Sequence, residues 1–112
     1  LADDTRHLIN RKTLALFKPG ALLVNTSRGG VVDEPALIDA LQGGHLGGAY
    51  LDVFAAEPLP PESPLWTLPN VLVTPHVSDS VDNWQILFAD FFAENLERWC
   101  NGAELRNALR LG

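Results

Sequence analysis

The chain has 112 residues, 46% of them hydrophobic, and a formal net charge of -6. That length buries one modest core. An acidic chain without a Lys/Arg cluster lacks the basic patch that neutralises phosphates, so nucleic acid is set aside as a partner. No apolar run approaches the roughly 20 residues that span a bilayer, and no basic stretch leads into an apolar one at the N-terminus. Cys100, the single cysteine, allows no internal disulfide and no thiolate metal cage. The expectation is a cytoplasmic protein with no membrane partner. Because the chain starts at Leu1 and contains no methionine, it is also expected to be part of a longer protein.

Taken in order, Asp3 and Asp4 read as first-turn charges of a short helix. A helix is predicted over Asn10 to Phe17, with Asn10 as its cap. Pro19 and Gly20 punctuate the chain before Ala21 to Asn25, an apolar run of the kind a strand buried on both faces shows. Thr26, Ser27, Arg28, Gly29 and Gly30 then form a polar, flexible turn. Asp33 caps a second helix over Glu34 to Gln42, with Pro35 in its first turn and Gly43 and Gly44 at its end. Ala49 to Val53 is the second predicted strand. The loop through Pro58, Pro60, Pro61 and Pro64 disfavours helix and ladder alike, and Val71 to Thr74 is the third strand. A long helix over Val81 to Cys100 carries Trp84, Phe88, Phe91, Asn95 and Trp99 on one side, widened by Leu87, Phe92 and Leu96. The tail from Gly102 to Gly112 adds a short amphipathic piece.

Strands alternating with helices imply parallel pairing and right-handed crossovers. The fold class is α/β: a partial, doubly wound parallel sheet of about three strands, flanked by helices, with a long C-terminal helix. In such sheets the ligand edge lies outside the carboxyl ends of the strands. Arg28 follows the first strand, Asp52 ends the second with Glu57 five residues on, and His76 follows the third. Each has a bland reading: a surface arginine, a solvated glutamate before Pro58, a histidine capping a turn. Asp52 is the hardest to dismiss, because a buried carboxylate needs a partner. Together they suit a 2-keto/2-hydroxy acid interconversion. Arg28 can grip a carboxylate in a two-pronged hydrogen bond, and His76, with a carboxylate beside it, can give or take a proton. No nucleophile precedes a base and no residue set has metal-ligand spacing. His7 and His45 read as turn or capping residues, Trp66 as a loop anchor and Cys100 as inert.

Three blocks, FKPGALLVNTSRGGVVDEPAL from Phe17 to Leu37, GGAYLDVFAAEPLP from Gly47 to Pro60 and NVLVTPHVSDS from Asn70 to Ser80, resemble the NAD(P)-dependent D-isomer-specific 2-hydroxyacid dehydrogenases. The resemblance implies a Rossmann-like cofactor domain whose C-terminal half is residues 1–80, with 81–112 a helix and tail returning to a substrate domain. It implies that Arg28 binds the substrate carboxylate and keto oxygen, that His76 is the acid/base and that Glu57 pairs with it. Asp52 would bond the nicotinamide carboxamide, and Thr26, Ser27, Arg28, His76, Val77, Ser78 and Asp79 would line the nicotinamide end of NAD or NADP. The family's GxGxxG turn lies upstream of these blocks, and Asp79 stands where relatives often carry a small residue. The implied parent is a homodimer acting on a glyoxylate- or hydroxypyruvate-like acid, and this stretch alone would be inactive. Two other readings are a non-catalytic NAD(H)-sensing protein of co-repressor type and a cofactor-free dimerisation module; the intact Arg28, Glu57 and His76 set favours the enzyme.

Overall fold

Asn10 begins the first helix by accepting hydrogen bonds from the amides of Lys12 and Thr13, while its own amide donates to the Thr13 hydroxyl at 2.8 Å, a reciprocal cap. In the computed structural model, which describes residues 2–108, this helix (α1) covers only Arg11–Leu14 and does not continue to Phe17. The amides of Leu16 and Phe17 bond to carbonyls three residues back, the tighter spacing that closes an α-helix.

The chain divides after Asp79 into two units. In the first, β1 (Ala21–Asn25) and α2 (Glu34–Gln42) occupy the predicted bounds. Asp33 accepts from the amide of Ala36 at 3.3 Å, supplying the expected cap. α2 buries Ala36, Leu37 and Leu41 in a core with Leu23, Leu46, Ala49 and Leu51. Full burial of a leucine contributes about 1.5–3 kcal/mol.

The second strand, β2, covers Leu46–Leu51 where the sequence pattern predicts Ala49 to Val53. It therefore starts earlier, takes in Gly47 and Gly48, and stops just before Asp52. The glycines belong in the strand because neighbouring backbone crowds them. A Cβ on Gly47 would lie 2.5 Å from the Gly20 carbonyl oxygen, and one on Gly48 would lie 2.7 Å from that of Asn70. The third strand, β3, is Val71–Val73, one residue shorter than predicted. All pairings are parallel in the order β1-β2-β3. Beyond the strand ends, Asp52 N–H donates to the Asn25 carbonyl and Thr74 N–H to the Leu51 carbonyl, both at 3.0 Å. The ladder thus extends one residue into the ligand edge. Side chains alternate across β1: Leu23 and Asn25 are buried, whereas Leu22 and Val24 are exposed, as is Leu72 of β3.

The second unit contains α3, Trp84–Cys100. It begins three residues later than predicted because Asn83 has φ 61, a left-handed conformation that a right-handed helix cannot contain. The predicted apolar stripe is present, and Trp84, Leu87, Phe88, Phe92, Leu96 and Trp99 are all exposed. Asn95 accepts from the Arg106 amide at 2.8 Å, and the Arg106 guanidinium lies 5.4 Å from the Phe91 ring centre. The residues after α3 thereby fold back onto the helix. The end of the predicted tail, residues 109–112, lies outside the described residues.

Candidate functional site

The turn after β1 is organised by Asn25, which is only 6% exposed. Its side-chain oxygen accepts from the Ser27 amide at 3.2 Å and the Ser27 hydroxyl at 2.9 Å, and its amide donates to the Arg28 carbonyl at 3.2 Å. Such local bonds are how asparagine builds turns. They set the backbone from which Arg28 projects, exposed, with its guanidinium donating to the Ser27 carbonyl at 2.6 Å. Gly29 follows, and only glycine fits there: a Cβ would stand 1.8 Å from the Phe54 carbonyl oxygen.

That contact joins the first turn to the second. After β2 the chain passes Asp52 and Phe54, and the Phe54 amide donates to Glu57 Oε1 at 3.0 Å. The neighbouring Ala55 amide donates to Glu34 Oε2 at 3.1 Å, tying the loop to the first turn of α2. Glu57 Oε2 in turn accepts from His76 Nδ1 at 2.7 Å. An Nδ1–H held this way leaves Nε2 as the nitrogen that can exchange a proton with a ligand. The hydrogen bond from His76, aided by the Phe54 amide, holds the Glu57 carboxyl below its usual range against the opposing effect of burial. The same bond and the Glu57 charge raise the His76 pKa, against burial and the Arg28 charge. His76 has φ 54, a conformation uncommon for any residue but glycine. Beside the pair opens a cleft of 380 Å³ lined by Phe54, Pro58, Leu59 and Trp66.

Asp52 is fully buried, 0% exposed. Its carboxylate accepts from the Thr74 hydroxyl, from the Val77 amide at 3.0 Å and from the Ser78 amide at 2.9 Å. Burial pushes this carboxyl up, but the bonds from Thr74, Val77 and Ser78 outweigh burial and hold it well below the ordinary range. Thr26, Ser27, Val77, Ser78 and Asp79 are exposed. Of their donors, the Ser27 amide and hydroxyl are committed to Asn25 and the Val77 and Ser78 amides to Asp52.

Three of the residues read as turn, capping or anchor residues make structural hydrogen bonds. His45 Nε2 lies 3.1 Å from the Leu14 carbonyl oxygen. The His7 amide donates to the Gly30 carbonyl at 2.9 Å, and Trp66 Nε1 donates to the Pro60 carbonyl at 3.0 Å. Asp3 and Asp4 open a short 3-10 helix, Asp3–Thr5, and Cys100 is exposed. Among the described residues no group of side chains could hold a metal ion. Sequence reasoning missed Asn25, Thr74 and Tyr50, whose hydroxyl lies 3.0 Å from that of Thr74. The polar Asn25 at the end of an otherwise apolar strand was the available signal.

Residues 1–78 match the NAD binding domain of the D-isomer specific 2-hydroxyacid dehydrogenases. The chain belongs to that family. Glyoxylate/hydroxypyruvate reductase B of Serratia proteamaculans is 44% identical over 109 residues, covering 97% of this chain and 34% of the relative. The (S)-sulfolactate dehydrogenase of Chromohalobacter salexigens is 53% identical over 78 residues, 70% of this chain and 25% of that protein. Among solved structures, a D-isomer specific 2-hydroxyacid dehydrogenase from Xanthobacter autotrophicus Py2, in complex with NADPH and MES, has a TM-score of 0.76 at 44% identity. That match covers 98% of this chain and 45% of the other. This dehydrogenase-family chain thus spans about a third of the length of such curated relatives. Their Rossmann-like architecture agrees with its parallel sheet, and no described helix is long and apolar enough to cross a membrane.

Proposed function

We propose that this chain is the nicotinamide and substrate side of the cofactor domain of a dehydrogenase that interconverts a 2-keto acid and a D-2-hydroxy acid. The acid is of the glyoxylate or hydroxypyruvate kind. The observation that carries the reading is the His76 Nδ1 to Glu57 Oε2 bond of 2.7 Å on the strand-end edge that also bears Arg28. Thr26, Ser27, Val77, Ser78 and Asp79 are the residues that would hold the nicotinamide end of NAD or NADP. A bound nicotinamide supplies the hydride.

The protein's own groups do the rest. Arg28 takes the substrate carboxylate in a two-pronged hydrogen bond and polarises the adjacent keto oxygen. His76, protonated, gives its Nε2 proton to that oxygen as the carbon is reduced, and in the oxidising direction takes the hydroxyl proton back. Glu57 fixes the ring and stabilises the imidazolium, so a raised His76 pKa keeps the proton available near neutral pH. The relatives named as glyoxylate/hydroxypyruvate reductases support an enzyme working on small molecules.

The test uses a protein that carries this chain together with the remaining length of its relatives. NADH and NADPH oxidation is followed with glyoxylate, hydroxypyruvate, pyruvate and phenylpyruvate, for wild type, Arg28→Ala and His76→Ala. The expected result is turnover in wild type and a loss of about 100-fold or more in each variant. Tight cofactor binding without turnover of any keto acid would instead indicate the sensing, co-repressor type of protein.

A further inference from the structure

We infer that Glu34 is a positioning residue for the Glu57 and His76 pair: it holds the Phe54–Ala55 peptide at one edge while Gly29 backs it at the other, and the held peptide keeps Glu57 turned toward His76. An acid in the first turn of a helix is ordinarily a charge set against the macrodipole. Glu34 opens α2 directly after the Asp33 cap, but its carboxylate also reaches a residue 21 positions away, where Oε2 accepts from the Ala55 amide at 3.1 Å.

The Phe54–Ala55 peptide is trans, so its carbonyl and its N–H point in opposite directions. The Phe54 oxygen faces Gly29, so closely that a Cβ there would stand 1.8 Å from it. The Ala55 N–H, on the other edge, faces Glu34. The plane cannot rotate without giving up one of the two contacts. Ala55 and Ala56 are exposed, so burial of their side chains does not fix this part of the loop, and the Glu34 bond does. The adjoining amide, that of Phe54, donates to Glu57 Oε1 at 3.0 Å, which leaves Oε2 to accept from His76 Nδ1 at 2.7 Å. Two carboxylates thus take two successive amides, and the orientation of one peptide passes to the next. The charged groups facing His76 are Glu57, Arg28 and Asp52, so Glu34 acts on the imidazole through the loop. Its value for catalysis rests on the proposed acid/base role of His76; the grip on the peptide does not.

The test needs neither cofactor nor turnover, so it stays readable even if the dehydrogenase reading fails. Amide hydrogen exchange and histidine titration are measured by NMR on the 112-residue chain as wild type, Glu34→Ala and Glu34→Gln. In Glu34→Ala the Ala55 amide is expected to exchange about fivefold faster or more, and His76 to titrate nearer its ordinary value. Glu34→Gln removes the charge but keeps a side-chain oxygen that accepts, so it should restore most of both properties. A role confined to charge at the helix end would make the two variants alike. A folded Glu34→Ala in which His76 titrates as in wild type overturns the inference, and so does a Glu34→Gln no better than Glu34→Ala. Should Glu34→Ala not fold, wild type decides: an Ala55 amide proton whose resonance does not move as the Glu34 carboxyl titrates overturns it.

Discussion

Gly29→Ala places a methyl group where the turn bearing Arg28 meets the loop bearing Glu57. The new Cβ would stand 1.8 Å from the Phe54 oxygen, 1.9 Å from its carbonyl carbon and 2.6 Å from the Ala55 nitrogen. Real Cβ contacts essentially never fall below 3.0 Å, so the Phe54–Ala55 peptide must retreat by about 1.2 Å in a packed interior. Overpacking costs about 1–3 kcal/mol, and the obstruction here is the Phe54–Ala55 peptide itself and not a flexible side chain, so the upper end applies. With a urea slope of about 1–3 kcal/mol/M, the unfolding midpoint falls by about 1 M or more. Circular dichroism of the purified chain in urea measures this. The same retreat draws the Phe54 amide from Glu57, now 3.0 Å away, so His76 should titrate nearer its ordinary value. An unchanged midpoint together with an unchanged His76 titration would refute the proposed packing.

Glu57→Gln should make stability less dependent on pH. The His76 pKa is raised on folding, so its contribution is full below the ordinary 6.5 and disappears as pH rises through the raised value. The Glu57 pKa is lowered, so its contribution is full above the ordinary 4.5 and disappears as pH falls through the lowered value. The advantage of wild type over Glu57→Gln is therefore widest between 4.5 and 6.5 and is read from urea midpoints across that range. It stays small, because the two side chains are 36% and 44% exposed and solvent screens them. Asn25→Ala removes the bonds that shape the Arg28 turn; because Ser27 is exposed and water can take its freed amide, the cost should be about 0.5–1.5 kcal/mol in the same assay. Leu37→Ala, at a residue 1% exposed, should cost about 2–5 kcal/mol while the folded fraction keeps the wild-type His76 titration.

β1 and α2 were legible to the residue because local signals at both ends agree: Gly20 and a polar turn bound the strand, and Asp33 and the Gly43–Gly44 pair bound the helix. β2 was displaced because glycine contributes nothing to a hydrophobic pattern. What holds Gly47 and Gly48 in the strand is the approach of Gly20 and Asn70, a tertiary fact with no local trace. The start of α3 was misplaced for a related reason, since no side-chain pattern reveals that Asn83 turns left-handed. At the site, parallel strand order alone puts Arg28, Asp52 and His76 on one edge. Glu57 looked like a loop charge, and its orientation depends on the Phe54 amide, which sequence does not display. Thr74 and Tyr50 escaped notice because a hydroxyl next to a strand is ordinary until the buried acceptor opposite it is known.

The parallel order of the three strands also constrains the sequence of events in folding. Ala21 pairs with Leu46 and Ala49 with Val71, so each pairing closes a long loop before any contact repays the lost chain entropy. Neither a hairpin nor a single crossover unit brings Arg28, Glu57 and His76 together. A register slip of one residue would turn Asn25 outward and remove the acceptor that shapes the Arg28 turn. The His76 environment is consequently a late reporter in refolding: its imidazole signal should reach the native position in step with the final strand pairing and never ahead of it.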